Sequence, residues 1–123
     1  MRFKKEEIPK EVDTKDFVMH ETVMGAMNVG YEIYKREVDA SAFFKGLPDN
    51  RCQAEHWGYV LKGRFKVDYG DHEETFSQGD VYYLKPGHIP HVFPETELLE
   101  FSPKAEYDKT MKVVAKNMAA MKA

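Results

Sequence analysis

The stretch CQAEHWGYVLKG, Cys52 to Gly63, decides the reading of the fold. In an extended strand successive side chains point to opposite faces. Cys52, Ala54, His56, Gly58 and Val60 therefore share one side, while Trp57, Tyr59 and Leu61 share the other. One side carries metal-type ligands beside very small residues, and the other carries bulk. The complementary stretch is GDVYYLKPGHIPH, Gly79 to His91, which ends with His88 and His91 beside Pro86, Gly87 and Pro90. The expectation is that the two stretches meet inside a small barrel.

Working outward, Arg64 to Tyr69 alternates Phe65 and Val67 with polar residues, Gly70 and Asp71 supply a tight turn, and Glu73 to Ser77 returns as the second arm of a hairpin. Val81 to Leu84 and Thr96 to Phe101 read as further short strands. Upstream, the runs Thr22 to Met27, Val29 to Val38 and Ala40 to Phe44 are rich in Val, Ile, Tyr and Phe and are broken by Gly25, Gly30 and Gly46. They read as the opening strands of a sheet. Many short strands with turn residues between them and no intervening helical pattern argue for an all-β, antiparallel sandwich or barrel.

The two ends differ from this core. Residues 1–20 are mostly charged and read as an N-terminal arm, the barrel spans 21–102, and 103–123 reads as an amphipathic helix. Ser102 followed by Pro103 is a helix start. Tyr107, Met111, Val114, Met118 and Met121 then recur at steps of four and three, one apolar stripe to be covered by the barrel or by a second subunit.

The 123 residues fit one domain with a core of its own. Eighteen Lys and Arg against 21 Asp and Glu give a formal charge of -3, with the basic residues scattered, which argues against a nucleic-acid partner. No window is apolar enough to span a bilayer. The single Cys52 cannot close an intramolecular disulfide and the first twenty residues lack the apolar run of a signal peptide, so the expected location is a reducing cytoplasm.

Cys and His together suit a borderline-soft ion such as zinc or iron. Positions four apart on a straight strand are separated by roughly 13 Å, so Cys52 and His56 need a bulge or bend near Ala54 to converge. Taken alone, His56 reads as a core histidine bonded to backbone, and Cys52 as a small hydrophobe. Ala54 and Gly58 favour a site instead, because small residues beside an inward histidine leave space for a ligand. His88 and His91 lie at a rigid bend where either can point at His56, whereas His72 belongs to an exposed turn. Tyr59 and Tyr83 are candidate pocket walls, and Glu55 faces away from His56 by alternation.

These two stretches resemble the paired motifs of the cupin superfamily, G-x5-H-x-H-x3/4-E-x6-G and G-x5-P-x-G-x2-H-x3-N. Aligned on Gly63, the glutamate of the first motif falls on His56, its second histidine on Cys52 and its first on Asn50. In the second motif Gly79 and Gly87 match, Lys85 stands at the proline position with Pro86 after it, and the histidine position falls on Pro90, one residue before His91. The glycine framework agrees while the ligand set departs. The resemblance implies a double-stranded β-helix, the cupin jelly-roll barrel, with a central pocket and often a homodimer.

Two functions are expected from this. One is a metal-binding cupin that binds or acts on a small molecule, its zinc or iron held by Cys52, His56 and a loop histidine, His88 or His91. The other is a metabolite-binding module with neither metal nor catalysis.

Overall fold

Residues 1–121 are described by the computed structural model, in which two antiparallel sheets enclose a core and a C-terminal helix covers one end. The first three strands form a meander: β1 (Lys10–Asp13), β2 (Phe17–Met24) and β3 (Met27–Tyr34). The tight turn between β2 and β3 uses Gly25 at φ 61°. The short β4 (Val38–Asp39) leads into a 3-10 turn, Ala40–Phe44, capped by the Asp39 carboxylate, which accepts from Ser41 N at 3.0 Å. Then follow β5 (His56–Lys62), β6 (Arg64–Asp68), β7 (Glu73–Ser77), β8 (Val81–Leu84), β9 (Ile89–Val92), β10 (Thr96–Pro103) and the helix α1 (Lys104–Met121). One sheet has the order β1-β2-β3-β10-β5-β8 and the other β4-β9-β6-β7. This is the all-β jelly-roll with a C-terminal helix expected from the sequence.

Alternation decides what fills the space between the sheets. Along β5 His56, Gly58 and Val60 are buried while Trp57 and Tyr59 are exposed. Val60, Phe65, Val67, Phe76, Tyr82, Leu84, Val92 and Leu98, drawn from both sheets, form one continuous core. Each such side chain contributes about 1.5–3 kcal/mol by leaving water, so this cluster is the main source of the barrel's cohesion. Gly63, at φ 78°, makes the turn from β5 to β6. A Cβ there would lie 2.5 Å from Thr96 Oγ1 and 2.7 Å from the Glu95 carbonyl, so only glycine fits.

Three boundaries differ from the sequence reading. The expected arm is not a free segment up to residue 20, because Phe17 begins β2 and Val18, Met19 and His20 are buried beside β3. The preceding β1 then pairs with β2 at the edge of the sheet. Ala40–Phe44 is a 3-10 turn, since the Asp39 cap starts helical bonding despite the aromatic content. Ser102 does not cap α1, because β10 runs through Pro103 and the serine side chain turns into the barrel. Residues 122 and 123 of the expected helix lie outside the described residues.

The first half of the apolar stripe of α1 is covered by the chain itself. Tyr107, Met111 and Val114 face a cavity at the end of the barrel, Met118 borders the cavity but is exposed, and Met121 is exposed. The Asn117 side-chain amide donates to the carbonyls of Phe43 and Lys45 at 2.7 and 2.9 Å, tying the helix to the 3-10 turn. Among the described residues, no helix is long and apolar enough to cross a membrane.

Candidate metal centre and cavity

Cys52 and His56 converge because the chain between them is not a strand. Residues 52–55 are irregular, and Cys52 is held by the loop opposite: its N–H donates to the His88 carbonyl at 3.0 Å and its carbonyl accepts from Gly87 N–H at 2.8 Å. That bend brings Cys52 Sγ within 3.7 Å of His56 Nε2. His88 completes the group, with one donor atom from each of Cys52, His56 and His88 lying within 4.8 Å of the others. All three are buried, at 3%, 8% and 0% exposure.

Both imidazoles are oriented through Nδ1. His88 Nδ1 donates to the Lys85 carbonyl at 2.7 Å, which leaves Nε2 as a bare lone pair, buried and without a hydrogen-bond partner. His56 Nδ1 lies 2.6 Å from Ser102 Oγ and 3.7 Å from Glu100 Oε2. Anchoring one ring nitrogen so that the other is presented is the usual arrangement around a ligated metal. Burial holds His56 down to about 4, and burial followed by the neighbouring His56 holds His88 down to about 3, so both rings are neutral and able to ligate. Burial likewise pushes the Cys52 thiol up to about 12.

The donor set fits a metal. Zinc–sulfur and zinc–nitrogen distances near 2.3 and 2.1 Å put two ligands of a tetrahedral ion about 3.6 Å apart, close to the Cys52–His56 separation of 3.7 Å. The widest separation, 4.8 Å, leaves about 1 Å of side-chain movement to close around an ion. An unmet buried nitrogen is also costly without a partner.

The group forms part of the wall of a cavity of about 280 Å³ between the sheets and α1. Most of the wall is apolar, including Phe17, Phe43, Phe44, Leu98 and Met111. Its polar part was missed by sequence reading. Glu32 on β3 and Glu100 on β10 lie on this part of the wall. The Tyr34 hydroxyl donates to Glu32 Oε1 at 2.5 Å and the Tyr82 hydroxyl to Glu100 Oε1 at 2.9 Å. Burial first, and then the Glu100 charge, raises the Glu32 carboxyl well above the usual range, and burial raises Glu100. Burial and like charge thus both disfavour ionising the two carboxyls together. Nearby, the Tyr107 hydroxyl donates to Glu21 Oε2 at 2.5 Å.

A family model described as a cupin domain matches residues 48–100, the segment that contains Cys52, His56, His88 and Glu100. That segment, somewhat under half of the chain, is similar to a cupin domain. Among solved structures, the fold is shared with the polyketide cyclase RemF from Streptomyces resistomycificus, at a TM-score of 0.59 and 12% identity, covering 85% of this chain and 79% of that one. A protein of unknown function from Rhizobium leguminosarum bv. viciae 3841 aligns at a TM-score of 0.58 and 16% identity, covering 83% and 93%. A putative ethanolamine utilization protein Q from Salmonella typhimurium LT2 aligns at 0.52 and 15%, covering 72% and 70%. No curated protein matches the chain in sequence.

Several expected site residues lie elsewhere. His91 does not join the cluster: Val92 points into the core, so its neighbour on β9 points out, where His91 Nε2 meets Glu37 Oε2 at 2.7 Å. Tyr59 and Tyr83 are not pocket walls but are 41% and 43% exposed on the outer face, with Tyr83 donating to Glu55 Oε2. Gly58 opens no ligand space, because the Tyr82 ring occupies it; a Cβ on Gly58 would lie 2.3 Å from that ring and 2.7 Å from the Leu99 carbonyl. Ala54 does line the cavity. A signal for Glu100 was present in TELLEFS, where Thr96, Leu98, Glu100 and Ser102 share one face of the strand and place a carboxylate among buried neighbours.

Proposed function

We propose that this protein binds a divalent metal through Cys52, His56 and His88 and uses it on a small molecule held in the adjoining cavity. The observation that carries this reading is the fully buried, unpartnered Nε2 of His88, set beside a thiol and a second anchored imidazole. A sulfur with two imidazole nitrogens is a soft donor set that suits zinc or iron. When bound, such an ion with an open position polarises a substrate oxygen or activates water. The chain's own residues do the rest. Ser102 and Lys85 fix the two rings, the apolar wall excludes water, and Glu32 and Glu100 place two carboxyls on the cavity wall. Because Tyr107, Met111 and Val114 of the α1 stripe are occupied within the chain, a homodimer would draw on another surface, such as the outer face bearing Trp57, Tyr59, Val81 and Tyr83. A cytoplasmic location belongs to the same reading, since Cys52 must stay reduced to ligate.

The test is metal analysis of untagged protein. One equivalent of zinc or iron is expected in the wild type, falling below about a tenth in Cys52→Ala and His88→Ala, in line with the loss of a ligand. Tyr83→Phe should keep the full complement. A metal-free wild type whose melting is unmoved by added zinc would favour the module without metal.

A further inference from the structure

The cavity has a charge property that its metal ligands do not explain. Two carboxyls, Glu32 and Glu100, face it, yet no Lys or Arg is among its lining residues. Their hydroxyl partners, Tyr34 and Tyr82, are donors already directed at one oxygen of each carboxyl, which leaves acceptor capacity on the pair. Away from the metal ligands an anionic ligand would find no countercharge from the chain, and a buried unpaired charge is expensive. A second divalent ion is no better served. The group of three converging His, Cys, Asp or Glu residues found among the described residues is Cys52, His56 and His88, and neither Glu32 nor Glu100 belongs to it. The remaining wall is aromatic and aliphatic, with Phe17, Tyr34, Phe43, Phe44 and Tyr107 among its lining residues. Aromatic faces attract an organic cation as well as cover an apolar body. That the space takes a ligand at all is supported separately by His88 Nε2, which is buried without a partner on the same wall.

We infer that the cavity binds a small primary or secondary amine with an apolar body, the ammonium seated against Glu32 and Glu100 and the body against the aromatic wall. This rests on the reading of the cavity as the ligand pocket of the metal site. A volume of about 280 Å³ equals roughly nine waters at about 30 Å³ each, enough for an unbranched amine of six carbons or a single aromatic ring with a short side chain. Glu32 is a positioning and specificity residue in this account, since it touches the ligand's nitrogen but lies outside the metal group.

Isothermal titration of zinc-loaded and of chelator-treated protein with hexylamine, hexanol and hexanoate tests this. Hexylamine should bind at least about tenfold more tightly than hexanol, the factor a single charge-assisted hydrogen bond supplies, and in the metal-free protein hexanoate should bind more weakly than either. The amine preference should persist in the metal-free protein. In Glu32→Gln the preference should fall below about twofold, with zinc content unchanged. An alcohol bound as tightly as the amine, a preference that survives Glu32→Gln, or binding of none of the three probes would overturn the inference. Should Glu32→Gln fail to fold, the three wild-type affinities decide alone. Zinc content is read independently, so loss of the metal reading and loss of the amine reading give different results.

Discussion

The two ends of the barrel are made from the same strands and finished in opposite ways. At one end Phe65, which borders the cavity, stacks on Phe76 at 4.9 Å and meets Tyr82 edge-on at 5.0 Å, and beyond it the space around Val67, Phe76 and Tyr82 is filled. At the other, the inward positions carry Ala40, Cys52 and Ala54, with Phe44 and Val114 closing over them from the 3-10 turn and the helix. Short side chains cannot reach across the roughly 10 Å between packed sheets, so this end stays hollow until α1 covers it. Strand geometry therefore makes the barrel, and side-chain size decides which half becomes a site.

The sharpest way to break this comparison is truncation at matched positions. Phe76→Ala should cost about 3–5 kcal/mol, because the packed end cannot collapse around the void. Val67→Ala at the same end should cost about 2 kcal/mol, whereas Val114→Ala should cost about 1 kcal/mol or less, its side chain already facing a cavity and alanine being the better helix former. Equal losses for the two valines in urea unfolding would mean that the ends are packed alike.

Acid should act mainly at the hollow end of the metal-free protein. His56 and His88 are held at about 4 and 3 when folded, against about 6.5 when unfolded. The unfolded chain then takes up protons first, so the stability these rings contribute is present above pH 6.5 and is lost as pH falls towards 4. Glu32 and Glu100 are shifted upward and have the opposite sign: their contribution is present below the ordinary carboxyl range and is lost as pH rises through the raised value. Melting of chelator-treated Glu32→Gln, which removes part of the opposing slope, should fall by several degrees between pH 6.5 and 4.5. His88→Gln in that background should flatten the fall, and a flat profile before that change would contradict the buried, neutral rings.

The smallest effect is expected outside. Tyr83→Phe removes the bond to Glu55 on an exposed face, and should move stability by no more than about 0.5 kcal/mol in the same urea titration. A loss of cavity binding in this variant would tie the outer face to the site.

Much of this was legible in the sequence, for physical reasons that also set the limits. The period of two placed His56, Gly58 and Val60 inward, and the hairpin around Gly70 followed from its turn residues. The helix stripe was read from its period, but not which surface covers it. Tertiary choices were harder to read. Whether His88 or His91 faces the cluster depends on how a loop bends before β9 begins, and Pro90 between them does not settle that from composition. Glu32 and Glu100 lie on different strands 68 residues apart in the chain, and only the β3–β10 register brings them together. Ser102 was read as a helix cap because its local context fits one, yet a bond to His56 46 residues away holds it in the barrel.

Gly58 shows how far an absent atom can act. Its bare Cα lets the Tyr82 ring lie across the neighbouring strand, which carries the phenol to Glu100. A methyl group at this position would evict the ring, deprive the carboxyl of a donor that lowers its proton affinity, and so retune the acidic end of the cavity from a position that never touches a ligand.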